Sequence, residues 1–105
     1  MIIHLHPQRR EQAISLSVAE DVLFIDGQAF DFSPLEDGAV LPREAAGSDL
    51  IVADISRASG EIHVHVVFPI GQFAKSAACF PAVLDIRVDG PVELPEPGFE
   101  EVADD

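Results

Sequence analysis

Two His-x-His pairs are the residues of this sequence whose type and spacing best suit chemistry. His4 stands with His6, and His63 stands with His65; these four are all of the histidines in the chain. On a β-strand, residues i and i+2 project from the same face, so each pair can offer two imidazoles to one metal ion. If the two strands are neighbours, four imidazoles gather in one place. Zinc or another borderline divalent ion suits imidazole nitrogen.

A simpler interpretation competes with this weak metal site. Each histidine lies on the polar side of a strand whose other side is apolar, and any polar residue satisfies that pattern. Asp54 and Asp85 are candidate carboxylate partners of the imidazoles. However, pairing of Asp54 with His65 favours the charged imidazolium, which disfavours metal binding. We therefore expect no cofactor, with zinc or a similar divalent metal as the alternative.

No other group in the sequence suggests catalysis. Cys79 is the only cysteine, so no intrachain disulfide forms, and its neighbours match no nucleophile signature. A lone cysteine among apolar residues usually behaves as a small buried hydrophobe. The sequence lacks a Gly-x-Ser-x-Gly motif, a phosphate-binding glycine-rich loop and a paired-cysteine motif. We expect a protein that is not an enzyme.

Composition and charge limit the partners. The 105 residues are 48% hydrophobic and carry 19 acidic against six basic side chains, a net charge of −13. This length suits one domain, and this charge repels a phosphate backbone or an anionic membrane. We expect no direct nucleic-acid or membrane binding. No secretory signal and no bilayer-spanning apolar stretch is evident, so the expected location is the cytoplasm.

The elements that position the histidines are short strands with period-two alternation. The Asp26-Gly27 dipeptide between two apolar runs predicts a two-residue hairpin turn, because Gly tolerates positive φ and Asp tolerates it better than most residues. Pro7 and Pro69 are each expected to end a strand. The seven predicted strands are Met1 to His6, Ile14 to Val18, Val22 to Ile25, Gln28 to Phe32, Leu50 to Arg57, Glu61 to Phe68 and Val83 to Val88.

The second hairpin allows a prediction of register. A two-residue Ser59-Gly60 loop places all the apolar residues of both strands on one face, whereas a three-residue loop mixes the faces. The pairs predicted for this register are Ile55 with Val64, Ala53 with Val66, Ile51 with Phe68, Ser56 with His63 and Asp54 with His65.

The segment from Ser33 to Ser48 loses periodicity and is expected to be a long loop, with one helical turn near Arg43 to Ala46. About seven short strands and no long amphipathic helix predict an all-β protein, a single antiparallel β-sandwich or partly open barrel. We expect residues 1–95 to form this one domain. Residues 96–105 are expected to be an acidic, disordered tail.

Several stretches resemble small uncharacterised proteins encoded beside tail-fibre and tail-assembly genes of bacteriophages and prophages. The residues that carry the resemblance are Phe30-Asp31-Phe32-Ser33-Pro34-Leu35, Asp37-Gly38, Leu41-Pro42, Glu44-Ala45, Phe80-Pro81 and Asp89-Gly90-Pro91-Val92-Glu93-Leu94-Pro95. The resemblance implies a phage or prophage origin and a role in tail structure or assembly. It assigns no catalytic residue.

The leading hypothesis is a non-enzymatic structural, assembly or protein-interaction protein that contacts a protein partner or itself as a homo-oligomer. One alternative is a small metal-binding β-barrel that uses His4, His6, His63 and His65. Another is an acidic inhibitor that mimics nucleic-acid charge and occupies a basic site.

Overall fold

The structure, a computed structural model, describes residues 1–100. These residues form nine strands and two short helices. In chain order the elements are β1 (Ile2–Arg9), β2 (Leu16–Ala19), β3 (Val22–Ile25), β4 (Gln28–Asp31), β5 (Val40–Leu41), α1 (Arg43–Ala46), β6 (Ile55–Ala58), β7 (Glu61–Ile70), α2 (Ser76–Cys79), β8 (Leu84–Asp85) and β9 (Gly90–Pro91).

Two sheets form the fold, one of five strands in the order β5-β6-β7-β1-β8 and one of four in the order β4-β3-β2-β9. Their inner faces share one hydrophobic core, to which the five-stranded sheet contributes Ile3 and Val64 and the four-stranded sheet Val18 and Leu23. Alternate residues of each strand point into this core, as expected when one face of a sheet is buried. The predicted all-β sandwich is confirmed.

The β3–β4 hairpin has the predicted turn. Ile25 pairs with Gln28, so Asp26 and Gly27 are the two loop residues. Both have positive φ, 51° and 85°, as a type I′ turn requires.

The β6–β7 hairpin has the predicted register near its turn and a different one further away. Ser56 pairs with His63, as predicted, but Ile51 bridges Val66 instead of Phe68. The strand that precedes the turn therefore carries two extra residues, and Asp54 does not pair with His65. Because the insertion is even, Ile51 still points into the core.

The central pair of the five-stranded sheet, β1 and β7, is parallel, whereas the sequence suggested antiparallel pairing. Parallel strands need a long crossover, which the chain between Arg9 and Glu61 supplies by passing through the other sheet.

The two prolines do not end their strands, since β1 continues to Arg9 and β7 to Ile70. The N–H of Arg10 donates to the carbonyl oxygen of Ile70, on the β7 side of the strand. Because N–H directions alternate along a strand, the nitrogen of Pro7 points away from β7, where no ladder bond is lost.

The long segment 33–48 contains the predicted helical turn, α1, and also β5, which covers the edge of β6. The predicted last strand is shorter than expected and contains only Leu84 and Asp85. Neither short helix within residues 1–100 is long and apolar enough to cross a membrane.

The chain remains packed beyond the predicted domain boundary at residue 95. The N–H of Gly71 donates to the carbonyl oxygen of Pro97, and that of Phe73 donates to Gly98, both at 2.9 Å. A Cβ on Gly98 would lie 2.3 Å from the backbone nitrogen of Ala74, so only glycine fits there. Pro97 and Gly98 thus pack against the domain, and residues 101–105 of the predicted tail lie outside the described residues.

Candidate functional site

The four histidines lie together on the outer face of the five-stranded sheet. His4 pairs directly with His65, because β1 and β7 are neighbours in parallel register. The side chains alternate between the two strands in the order His63, His4, His65, His6, which we call the imidazole row. The structure thus brings together all four residues that the spacing of the His-x-His pairs had singled out.

The rings of the imidazole row contact one another. The centroids of His4 and His65 are 4.3 Å apart, with planes at 10°, and those of His4 and His63 are 6.0 Å apart. Nε2 of His6 lies 2.8 Å from Nδ1 of His65, so one nitrogen donates a hydrogen bond to the other. These nitrogens are therefore used within the row.

The environment favours the neutral form of His4 and His65. Partial burial, and after it the positive charge that His63 and His6 would carry, lowers the pKa of His4. Partial burial likewise lowers the pKa of His65, with smaller contributions from His4, His6 and His63. A neutral imidazole is the form that binds a metal ion.

The two candidate carboxylates have other partners. Oδ1 of Asp54 accepts a hydrogen bond from the backbone N–H of Arg43 at 3.0 Å. Asp85 forms an ion pair with Arg87, 2.6 Å from its Nε. Within the described part of the chain, no group of three or more His, Cys, Asp or Glu side chains is arranged to hold a metal ion.

Cys79 lies at the end of α2 and is half-buried. Its neighbour Ala78 packs into the core cluster. Cys79 itself is not part of that cluster, so the burial expected for it is only partial.

The outer face of the four-stranded sheet is a second distinctive surface, which we call the acid-rimmed face. Phe24 lies at its centre, between Ser17 and Ala29 on the adjacent strands. Val22 and Phe24 are half-buried but do not belong to the core cluster or pack against it. The uncharged residues of this face are Ser17, Ala19, Val22, Phe24, Ala29 and Pro91.

Carboxylates surround that uncharged centre, and backbone N–H groups hold several of them. Asp26 accepts from the N–H of Ser15 at one end, and Asp89 accepts from that of Glu20 at the other. At the β4 edge, hydrogen bonds from Ser33 lower the pKa of Asp31 and keep it ionised.

Sequence reasoning missed this face, although the sequence contains a signal for it. From Glu11 to Pro42 there are seven acidic residues and no Lys or Arg. Four of the seven lie in or next to β2, β3 and β4, so much of the charge asymmetry of the chain belongs to one sheet; they are Glu20, Asp21, Asp26 and Asp31.

Arg57 is another residue that sequence reasoning missed. It pairs with Ile62 at the end of β6, and its side chain is only 14% exposed. Its Nη2 lies 2.9 Å from a carboxylate oxygen of Asp21, and its Nε donates to the carbonyl oxygen of Leu35 at 2.6 Å. Arg57 thus ties the five-stranded sheet to the β2–β3 turn and to the 33–48 segment.

Large apolar side chains are exposed mainly in the segment between residues 73 and 88, which we call the apolar segment. Phe80 is 84% exposed and Val88 is 78% exposed. Phe73 and Val83 are the other two exposed members, and outside this segment only Val40 is similarly exposed among the described residues.

Comparison with protein-family models, with curated proteins and with solved structures finds no match to this chain.

Proposed function

We propose that this chain is a non-enzymatic protein-interaction and assembly protein, of the phage or prophage tail-associated kind that its resemblance implies. The observation that supports this proposal is the apolar segment. A contiguous exposed apolar patch on a small protein usually marks a surface that another protein covers, and in this proposal the exposed members of the apolar segment form such a patch.

The energetic reason lies in the side chain of Phe80. Burying a fully exposed phenylalanine is worth about 1.5–3 kcal/mol, and phenylalanine, like other aromatics, is enriched at protein interfaces. In this proposal Phe80 is an anchor, and Phe73, Val83 and Val88 extend the contact along the same segment. The partner is another tail protein or a second copy of this chain.

A photo-crosslinking amino acid tests the proposal directly. We would place it at position 80 in one protein and at position 40 in a control, because Val40 is exposed but belongs to β5. We expect a crosslink to one defined protein from position 80 only, in cells that carry the neighbouring tail genes. The crosslinked partner would then be purified and its affinity measured.

In that measurement Phe80→Glu should weaken binding at least about tenfold, the usual effect of losing an anchor, while Val40→Glu should not. Equal crosslinking from the two positions, or an affinity that Phe80→Glu leaves unchanged, would contradict the proposal.

A second candidate function is metal binding by the imidazole row, favoured by the proximity of four histidines, whose stacked rings would have to rotate to face one ion. Native mass spectrometry with a slight excess of zinc distinguishes it. One ion per chain, lost in His65→Ala, would support this candidate, and a metal-free chain under the same conditions would exclude it.

A further inference from the structure

We infer that the acid-rimmed face binds a protein partner whose contact surface is apolar at its centre and rich in Lys and Arg around it. The inference rests on the proposed function, since it names a partner for an interaction protein. It concerns a surface other than the apolar segment, so the two can be tested separately.

The centre of this face is unusual for the outside of a sandwich. The outer face of an antiparallel sheet normally alternates to polar side chains, which water solvates. Here the positions around Phe24 are Ser17, Ala29, Val22 and Ala19, and none of them carries a charge. The half-buried Val22 and Phe24 side chains, beside the exposed Ala19 and Ala29, form an apolar patch.

The rim supplies the second part of the argument. Carboxylates lie at both ends and along the open edge: Glu20 and Asp89 at one end, Asp26 at the other, and Asp31 on β4. Backbone N–H groups position three of these carboxylates, so they are already oriented before any partner arrives. An apolar centre with a charged rim is the usual anatomy of a protein–protein interface.

No cation of the same chain segment neutralises this rim, because residues 11 to 42 contain no Lys or Arg. Arg57 approaches Asp21, but it lies on the inner side of the five-stranded sheet and is largely buried. Cations of other segments do approach the ends of the face, since Arg9 and Arg10 line one pocket with Asp26, and Arg87 lines another with Glu20 and Asp89. Arg87 is already paired with Glu61 and Asp85, so the net charge around this face stays negative and attracts basic surfaces towards the apolar patch.

Charge complementarity also selects among occupants. A second copy docked face to face would bring one acidic rim against the other, and nucleic acid would be repelled by the same rim. A basic protein surface gains from both the apolar centre and the rim.

The experiment uses two designed β-hairpin peptides of equal length with the same apolar centre. One has Lys and Arg flanks, and the other has Glu and Asp at those positions. Chemical shifts of the isotope-labelled full chain would be followed during titration with each peptide. We expect the basic peptide to shift the resonances of Val22, Phe24 and Ala29, and the acidic peptide to shift none of them.

Two variants and a salt series sharpen the result. Phe24→Ser should lower the affinity of the chain for the basic peptide at least about tenfold, whereas Phe80→Glu should leave that affinity unchanged. Raising NaCl from about 50 mM to about 300 mM should also weaken it several-fold, because screening shortens the reach of the rim charges.

Other outcomes would overturn the inference. Chemical-shift changes confined to residues 73–88 would exclude the acid-rimmed face as the binding site and would not contradict the proposed function. Concentration-dependent dimerisation that Phe24→Ser abolishes would replace the basic partner with a second copy. Equal binding of the two peptides would show that the acidic rim does not discriminate between basic and acidic partners. If neither peptide binds and position 80 gives no specific crosslink, the inference and the proposed function both fail.

Discussion

The two outer faces of this sandwich come from the same kind of strand and carry opposite kinds of surface. On the five-stranded sheet, outward positions of β1 and β7 hold imidazoles that stack and hydrogen bond with one another. On the four-stranded sheet, outward positions hold small and apolar side chains, and charge is confined to the turns and edges. The imidazoles of the five-stranded sheet contact one another, whereas the carboxylates around the four-stranded sheet are exposed to solvent.

The difference shows that the net charge of −13 is distributed unevenly over the fold. Three of the four strands of the four-stranded sheet come from a stretch without any cation, while five of the six basic residues lie outside the elements β2 to α1. Net charge by itself predicts only that the protein repels anions. The sheet to which the charge belongs decides where a basic partner would dock.

The largest expected effect on the free energy of unfolding is a difference between the inner and outer sides of β3. Leu23→Ala should lower the free energy of unfolding by about 2–5 kcal/mol, because Leu23 is fully buried in the core. Phe24→Ala, on the outer face next to it, should cost only about 1 kcal/mol, since that ring already lies outside the core. Urea unfolding of both variants measures this. Equal losses would mean that the outer face is part of a buried interface within the chain.

The next largest effect concerns the link between the sheets. Arg57→Met should lower the free energy of unfolding by about 2 kcal/mol, because Asp21 and the carbonyl oxygen of Leu35 lose a charged donor. Arg43→Met serves as the control, since the Arg43 side chain is more than half exposed and its bonds to Glu44 and to the carbonyl oxygen of Val52 lie at the surface. Comparable stability of the two variants in urea would contradict the role of Arg57.

The smallest expected effect is a pH dependence of stability that comes from the imidazole row and not from the acid-rimmed face. The folded state lowers the pKa of His4 and His65, so the unfolded chain takes up protons first as the pH falls through the unfolded value of about 6.5. The contribution of these two histidines to the free energy of unfolding should therefore be complete at neutral pH and decline as the solution becomes mildly acidic. The decline due to them should end below their pKa values in the folded state.

Urea unfolding at about pH 7.5 and about pH 5.5 measures this decline, since carboxylates titrate mainly below that window. The double variant His4→Gln, His65→Gln should reduce it. Asp31→Asn should leave it unchanged, because the pKa of Asp31 is lowered and its contribution is lost only under stronger acid. A decline that the double variant retains in full would contradict the assignment to the imidazole row.

Local features of the fold could be predicted well. The Asp26-Gly27 turn, the Ser59-Gly60 turn and the helical turn at Arg43–Ala46 all depend on residues close in sequence. The register beyond the second turn could not be predicted, because Asp54 contacts the backbone of Arg43 and two extra residues enter the strand.

The candidate sites divide in the same way. The spacing of His4 with His6, and of His63 with His65, is enough to place each pair on one face of a strand. The acid-rimmed face was visible only as a run of acidic residues until the pairing of β2, β3 and β4 gave it a centre and an edge.

What the sequence by itself determined is therefore the alternation of side chains along each strand and the chemistry of its tight turns. Both follow from backbone geometry over a few residues. Only the tertiary structure decided that β1 lies parallel to β7, and hence that His4 stacks on His65. That choice depends on burying apolar faces contributed by distant parts of the chain, and short-range periodicity carries no record of which strands become neighbours.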